Sequence, residues 1–403
     1  MRDIVAVILA GLTTISSPAA VAAQTYAMSG DCDGFPKVGL DTAAGSCIGL
    51  VAGHLGFARG VAAIGTDIYV ADMGGWQKNR GRIVRLPDGG HGQPHVILNS
   101  LNEPNSLVPG PDGTLYVGLS GAVIRFDPAA ADPQKSLRNI VTGLPTQGRH
   151  PLAALALGAD GSLFVNVGSA TDHCERQLGD PAPGPQPCPE TQASPPRATI
   201  LRVAPGDTAV DARTLVPYAR GLRNSMALTV LGSGRLLAAV NARDAINQAD
   251  PALSDAELPH DTLVRVEQGA DYGWPYCFDE NRPSPEYAGF DCSGKRAPTL
   301  LLPAHAAPLG MIFYRGRALA GLEGHLLIAY HGYRSTGHRI VKLAIDAQGR
   351  PRGVPEDVVT GWEYARDNHP QGAVVALWEM DDGSVLVTED HNGTLLRLAR
   401  DKQ

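Results

Sequence analysis

The chain has 403 residues and a formal net charge of −7, and its sequence contains no run of Lys or Arg. An acidic chain without a basic patch is a poor partner for nucleic acid or for an anionic membrane surface. Hydrophobic residues make up 43% of the chain, with 47 glycines and 31 prolines, which is typical of a turn-rich all-β protein and excludes a disordered one.

The first 23 residues have the features of a secretory signal peptide. Arg2 precedes an apolar run at residues 4–12, and small residues at 20–23 form a cleavage pattern. We therefore predict cleavage near Ala23, a mature domain of residues 24–403, and a periplasmic or secreted protein. No other stretch is long and apolar enough to span a bilayer.

A short pattern recurs six times along the rest of the chain. Each copy has a Gly/Asp turn, a β-rich run, a polar break, and a second β-run that ends in a basic residue followed by an apolar one. The copies lie at residues 66–86, 112–126, 160–203, 234–266, 324–343 and 382–398. Hairpin signals repeated at this period predict a single all-β domain, a six-bladed β-propeller with its functional site at the mouth of the central channel.

The six cysteines fall into three close pairs: Cys32/Cys47, Cys174/Cys188 and Cys277/Cys292. Six cysteines allow 15 connectivities, of which sequential pairing is the simplest, and each loop so closed would contribute about 3 kcal/mol. Two of the pairs lie in long insertions, at residues 168–198 and 271–301, which we expect to be loops that border the channel. No Cys-x-x-Cys-His motif is present, so no covalent c-type haem is expected.

Polar side chains recur just upstream of each turn, where the innermost strand of each blade should begin. They are Arg59, Asn105, His150, Arg223 with Asn224, His305, and His369 with Gln371. Any one of them could simply face solvent or bond to the backbone. Because all six blades carry such a residue at the same position, we predict a ring of Arg, His and Asn with few acids, suited to an anionic or carbonyl-rich ligand.

Four motifs, in order along the chain, together resemble one family. They are His150 ten residues before Asp160, the Gly-Leu-Arg-Asn of residues 221–224, Asp261 eleven residues before the Tyr-Gly-Trp-Pro of residues 272–275, and the segments 305–310, 313–316 and 331–334. The sequence is similar to the soluble sugar dehydrogenases that use pyrroloquinoline quinone (PQQ) and calcium, namely soluble quinoprotein glucose dehydrogenase and the sorbosone-dehydrogenase-like enzymes.

This resemblance implies roles for particular residues. His150 would be the general base, which suits imidazole because it is neutral near working pH. Arg223 would stabilise the negative charge that grows on the quinone oxygens. Further cofactor contacts are expected from Asn224, Asn105, His305 and His331, and from arginines facing the three PQQ carboxylates: Arg334 first, then Arg59, Arg339 and Arg366.

Calcium prefers hard oxygen ligands, and the acidic segment 241–261 is rich in them. Asp244 and Asp261 are the predicted metal ligands, although the same acids would also suit a solvated surface loop. Two positions depart from the family pattern: Arg149 stands where glucose-oxidising members have Asp, and Ala242 where sorbosone-like members usually have Glu.

Trp274, Tyr330 and Tyr333 could stack on a planar ligand or a sugar, or serve only as packing residues.

The sequence thus favours a dehydrogenase that oxidises an aldose or a sugar aldehyde and passes electrons to a separate cytochrome or quinone. One alternative is a calcium-dependent lactonase-like hydrolase, which shares the architecture but needs a side-chain carboxylate in the channel. A second is a non-catalytic propeller that binds a peptide or glycan, because fold alone does not determine function.

Overall fold

The computed structural model describes residues 26–177, 179–362 and 374–402. The predicted leader, Arg366, His369 and Gln371 lie outside these residues. In the described part of the chain no helix has the length and apolar character needed to cross a bilayer.

Four short strands precede the first blade: β1 (Met28–Cys32), β2 (Phe35–Val38), β3 (Asp41–Thr42) and β4 (Ser46–Ala52). The first blade consists of β5 (Ala58–Ile64), β6 (Asp67–Asp72), β7 (Gly81–Leu86) and β8 (His95–Leu101). The second consists of β9 (Ser106–Pro109), β10 (Leu115–Leu119), β11 (Ala122–Phe126) and β12 (Arg138–Thr142). The third has β13 (Leu155–Leu157), β14 (Leu163–Val167) and β15 (Thr199–Val203). The next strand along the chain, β16 (Val210–Asp211), pairs in parallel with β12 of the second blade. The last strand of the third blade is β17 (Ala219–Arg220).

The fourth blade begins with β18 (Ala227–Val230), β19 (Leu236–Val240) and β20 (Asp261–Arg265); a small hairpin of β21 (Cys277–Phe278) and β22 (Arg282–Pro283) precedes its last strand, β23 (Leu300–Leu302). The fifth consists of β24 (Pro308–Phe313), β25 (His325–Tyr330), β26 (Arg339–Ile345) and β27 (Pro351–Thr360), with β3 at its edge. The sixth has β28 (Val374–Glu379), β29 (Val385–Glu389) and β30 (Thr394–Arg400), followed by β4, β2 and β1. The helices among the described residues are one turn, α1 (Pro133–Ser136), and the 3-10 turns Asp88–Gly90, Pro189–Gln192, Ala212–Thr214, Ile246–Gln248 and Pro285–Tyr287.

The predicted six-bladed propeller is confirmed. The innermost strands β5, β9, β13, β18, β24 and β28 each contact the next around the ring, and β28 contacts β5. Apolar side chains pack between neighbouring blades. The innermost strands surround a channel along the axis of the ring.

The recurring Gly/Asp motif forms the turn between the first and second strands of a blade. In the third blade, Asp160 Oδ1 accepts a hydrogen bond from the backbone N–H of Ser162 at 3.0 Å, and Gly161 between them has φ = 78°. Positive φ at this place favours glycine, and an Asp side chain caps such a turn.

The recurring basic residue of the third strand pairs with the acid at or near that turn. Four blades contain this cross-strand ion pair: Arg85–Asp67, Arg125–Asp112, Arg202–Asp160 and Arg397–Asp382. Each pair keeps at least one partner partly exposed to solvent, and such pairs stabilise a fold by about 0–1 kcal/mol each. The repeat seen in the sequence is therefore a turn and its cross-strand ion pair, at the channel end away from the mouth.

The ring closes where the N-terminal strand β4 pairs antiparallel with β30 of the sixth blade. Ile48 of β4 is fully buried there, in one cluster with Val387 and Leu398. Cys32 and Cys47 tie β1 to β4, and the other two disulfides join Cys174 to Cys188 and Cys277 to Cys292. The sequential pairing predicted from the sequence is confirmed.

We expect Ile48→Ala to lower the free energy of unfolding by about 2–4 kcal/mol, because it leaves a cavity at the ring closure. Val216→Ala is the control, since Val216 is 80% exposed, and it should change the free energy by less than about 0.5 kcal/mol. Urea unfolding followed by circular dichroism measures both. Equal midpoints for the two variants would show that the closure does not limit stability.

Candidate active site

A large polar cavity opens at one end of the channel, with a volume of about 1140 Å³ including the part open to solvent. Two sets of residues line it, those at the starts of innermost strands and those that follow second strands. They meet because the first two strands of a blade run antiparallel and their connecting turn lies at the far end. The other half of the channel is lined mainly by apolar side chains of the innermost strands.

The structure brings nine of the ten predicted site residues to this mouth: Arg59, His150, Arg223, Asn224, Asp244, Asp261, His305, His331 and Arg334. Asn105 lies one step down the channel, where its side-chain oxygen accepts a hydrogen bond from Arg59 Nε at 3.0 Å. Arg339 is not at the mouth and pairs with Asp357 at 3.0 Å.

The three candidate stacking residues have different surroundings. Tyr333 is 54% exposed and lines the mouth, together with exposed Trp76. Tyr330 is buried in the core. Trp274 donates a hydrogen bond from Nε1 to the Asp172 carbonyl at 3.0 Å and borders a separate cavity under the second insertion.

His150 is held in one tautomer. Its Nδ1 lies 3.1 Å from the backbone carbonyl of Ser169 and 3.0 Å from the Ser169 hydroxyl, which itself donates to the Thr171 carbonyl at 2.7 Å. A carbonyl can only accept, so Nδ1 carries the proton of the neutral ring and Nε2 keeps its lone pair. Gly168 allows the close packing, since a Cβ there would lie 2.5 Å from that of His150.

The surroundings of His150 also keep its ring neutral. Burial is the main cause that lowers the pKa of His150 well below its ordinary value of about 6.5, and the positive charges of Arg223 and Arg149 lower it further. His150 therefore combines a fixed tautomer with a free lone pair on Nε2, which is what a general base requires.

Arg223 is buried and already has a partner. Its Nη2 donates to Asp172 Oδ1 at 2.5 Å, Nε to the Asp172 carbonyl at 3.2 Å, and Nη1 to the Asn241 carbonyl at 3.1 Å. Asp172 belongs to the first insertion, so this loop supplies the counter-charge of Arg223. This pair was not predicted from the sequence.

Two buried amide oxygens lie at the mouth without partners. Within the described residues, neither Asn224 Oδ1 nor Asn241 Oδ1 accepts a hydrogen bond. A buried acceptor left unpaired is costly, which points to a ligand that these oxygens would contact.

Asp244 lies between two cations. Its carboxylate is 3.3 Å from His305 Nδ1 and accepts from Arg149 Nη2 at 3.1 Å. Burial alone would raise the pKa of Asp244, but the His305 hydrogen bond and the charges of Arg223 and Arg149 outweigh it and lower the pKa to about 2. The hydrogen bond with Asp244 in turn raises the pKa of His305, whose Nε2 lies 2.7 Å from the Asp255 carbonyl.

Asp261 is buried and bonded to backbone. One carboxylate oxygen accepts from Ala242 N at 2.7 Å and the other from Ala307 N at 2.6 Å. Burial raises the pKa of Asp261 to about 6, against the opposing effect of these two bonds. Asp261 thus joins the loops that carry Asp244 and His305, whether or not it also contacts a metal.

A second buried cluster lies on the side of the sixth blade. Arg59 Nη1 donates to Asp390 Oδ2 at 2.6 Å, and His331 Nε2 is 3.2 Å from Asp390 Oδ1. Burial would raise the pKa of Asp390, but His331 and Arg59 outweigh it and keep that pKa well below its ordinary range.

The expected ring of cations with few acids is therefore wrong in one respect: carboxylates alternate with the cations. Three ion pairs follow one rule, in which the start of an innermost strand pairs with the loop after the second strand of the preceding blade. They are Arg59 with Asp390, Arg223 with Asp172 and His305 with Asp244. Arg334 is also paired, with Asp255 at 2.5 Å.

The residues that the sequence analysis missed follow the second strands. Ser169 and Asp172 come after β14, and Asp390 with His391 after β29. The positions after the second strand could have been aligned across the repeats in the same way as those upstream of the turns, and Asp390 would then have been found. Asp172 lies inside an insertion, where no repeat sets its position.

The fold and the cavity define a propeller whose mouth presents a neutral, oriented imidazole among paired charges. A family model described as Glucose / Sorbosone dehydrogenase matches residues 118–397, so the chain belongs to this family, as its motifs indicated.

Solved structures with the same fold include two fungal proteins and a bacterial one. A Trichoderma reesei protein of carbohydrate-active enzyme family AA12 has a TM-score of 0.72 at 19% identity, covering 90% of this chain and 98% of that one. The PQQ domain of pyranose dehydrogenase from Coprinopsis cinerea has a TM-score of 0.71 at 18% identity, covering 92% and 99%. The PQQ-bound aldose sugar dehydrogenase of Streptomyces coelicolor has a TM-score of 0.61 at 17% identity, covering 90% and 100%.

A curated protein of Borreliella burgdorferi, described as uncharacterized, is 31% identical over 159 residues. The match covers 37% of this chain and 41% of that protein, which is less than half of its length.

We expect Asp172→Asn to destabilise the fold by about 3 kcal/mol, because it leaves the buried Arg223 charge without a counter-charge. Asp207→Asn, at an exposed site, should have almost no effect. Urea midpoints of the two variants check this, and an unchanged midpoint for Asp172→Asn would mean that Arg223 reaches solvent.

Proposed function

We propose that this protein oxidises an aldose or a sugar aldehyde by hydride transfer to bound PQQ, with His150 as the general base. The observation that carries the proposal is the state of His150 at the mouth of a large cavity. Its ring is neutral, Nδ1 is held by Ser169, and Nε2 is available to take a proton from a sugar hydroxyl. Membership of the glucose/sorbosone dehydrogenase family supports the choice of reaction.

The residues at the mouth fit a planar, anionic cofactor. Asn224 would bond it, and Arg223 and Arg334 would offer guanidinium groups at the cavity wall, with Arg59, Asn105, His305 and His331 nearby. When bound, PQQ would supply the two-electron acceptor that no side chain provides. Because Asp172 fixes Arg223 in place, the guanidinium would stabilise developing negative charge without having to reorganise.

The same wall also fits calcium. Asn224 Oδ1 and Asn241 Oδ1 are unpaired within the described chain, and Asp244 stays ionised because its pKa is lowered to about 2. These are the hard oxygen ligands that Ca²⁺ prefers, and the ion would withdraw charge from the group it contacts. Asp261 would support the site by holding the loops around it.

We further propose that residues 24–403 form one exported domain after cleavage of residues 1–23. Three disulfides support an oxidising compartment, periplasmic or extracellular. Electrons would leave to a separate protein or quinone.

The first test is reconstitution of the apo-protein with PQQ and Ca²⁺, followed by dye reduction with a panel of aldoses and sugar aldehydes. We expect uptake of PQQ and sugar-dependent reduction, and His150→Ala should lower kcat by about 10²- to 10⁴-fold while PQQ is still bound. His95→Ala, at an exposed position on β8, is the control and should behave as the unaltered protein.

Absence of PQQ uptake would overturn the quinoprotein proposal and favour a binding propeller. Lactone hydrolysis that needs Ca²⁺ but no quinone would favour the hydrolase instead. Full activity in His150→Ala would remove His150 from its role.

The pH dependence provides a second test. The base works only when it is deprotonated, so activity should fall as the pH drops through the pKa of His150, with the acid limb below 6.5. Arg149→Gln removes a positive charge that lowers this pKa, so the limb should move to higher pH. Arg138→Gln, on the exposed edge of β12, should leave it in place. A limb that does not move in Arg149→Gln would mean that another group titrates.

A further inference from the structure

Three side chains converge on the wall of the mouth opposite His150. His331 Nε2 lies 3.2 Å from Asp390 Oδ1, and His391 Nε2 lies 3.8 Å from the same oxygen. All three ligand atoms lie within 4.8 Å of one another. His331 follows β25 of the fifth blade, and Asp390 and His391 follow β29 of the sixth.

The spacing of these atoms suits a metal ion. Bonds of 2.0–2.1 Å in a tetrahedral site place the ligand atoms about 3.3 Å apart. The two distances in the structure, 3.2 and 3.8 Å, lie close to this value. Only a small movement of His391, which is half-buried, would be needed.

The surroundings already orient the ligands. Arg59 Nη1 donates to Asp390 Oδ2 at 2.6 Å and holds the carboxylate in place, and His331 Nε2 lies 3.2 Å from Oδ1 and 3.3 Å from Oδ2. The backbone N–H of His331 donates to the Ala307 carbonyl at 3.1 Å and fixes the start of that loop. Outer partners of this kind hold the ligands in most metal sites. The Tyr333 hydroxyl lies 3.1 Å from His391 Nε2, at hydrogen-bond distance.

We propose that His331, Asp390 and His391 form a binding site for a divalent transition metal, with its remaining coordination positions open to the mouth. Two imidazoles and one carboxylate select Zn²⁺, Cu²⁺ or Ni²⁺ over Ca²⁺, which prefers an all-oxygen shell. The site is therefore distinct in chemistry from the proposed calcium site. Its ligands also lie on blades two and three places along the ring from the blade of His150.

The metal would change the charge of the mouth. In the described part of the chain four arginines line the mouth, and each is paired with a carboxylate: Arg59, Arg149, Arg223 and Arg334. A divalent ion would add two positive charges beside the Arg59–Asp390 pair, so an anionic ligand entering the mouth would meet a net positive wall. Nothing in this step requires the ligand to be a quinone, so the site is tested without one.

The test uses the full mature protein, stripped of metal and free of PQQ. Zn²⁺ is titrated by calorimetry, and Cu²⁺ by electron paramagnetic resonance, which detects coordinated imidazole nitrogens. We expect one ion per chain, coupling to two nitrogens, and no displacement by excess Ca²⁺. His391→Ala should weaken binding by at least about tenfold, since loss of even an outer-shell partner costs that much.

His325→Ala is the matched control, because His325 begins the same strand β25 that His331 follows and lies at its opposite end. It should bind metal as the unaltered protein does. If His391→Ala fails to fold, His391→Gln keeps the side-chain volume and removes the ligand nitrogen. Equal affinity in the His391 variant and the control, Ca²⁺ competition, or no binding would overturn the proposal. Because PQQ is absent, none of these outcomes bears on the dehydrogenase reaction.

Discussion

The structure of the mouth depends on one repeated contact between neighbouring blades. A cationic side chain at the start of an innermost strand pairs with a carboxylate on the loop after the second strand of the preceding blade, as in Arg59–Asp390, Arg223–Asp172 and His305–Asp244. Two of these pairs are buried, where a charge without its partner would cost several kcal/mol. Each pair therefore fixes both the angle between two blades and the position of a functional group. A substitution at one of these groups would therefore also disturb its partner on the neighbouring blade.

His150 is the exception to this rule, and the exception matters for its chemistry. It is bonded to a backbone carbonyl and a hydroxyl rather than to a carboxylate. A carboxylate partner would favour the charged imidazolium strongly, whereas the Ser169 carbonyl fixes the tautomer and raises the pKa of His150 by less than burial lowers it. The charges of Arg223 and Arg149 lower this pKa further, against a smaller opposing effect of Asp244. The surroundings of His150 thus keep this proton acceptor uncharged, although ion pairs line the rest of the mouth.

Much of this could be read from the sequence, and the limits have physical causes. The six turns, the disulfide pairs and the cations of the innermost strands follow from short-range patterns that repeat with the blades. Two of the three paired acids did not, because Asp390 follows a strand whose end was not compared across repeats, and Asp172 lies in an insertion. The ring closure by β4 and β30 was also missed, since a pairing between the two ends of the chain leaves no local signal. The pairing of Arg223 with Asp172 likewise depends on a contact between residues that are far apart in the sequence.

The closure between β4 and β30 has a consequence for how the protein is made. One strand of the sixth blade comes from residues 46–52 and its neighbour from residues 394–400, so the ring cannot close on the ribosome until nearly the whole chain has been synthesised. Before the ring closes, Asp390 is not in contact with Arg59, and the wall of the mouth is incomplete on this side. The mouth is therefore complete only once residues 394–400 have been synthesised and paired with residues 46–52.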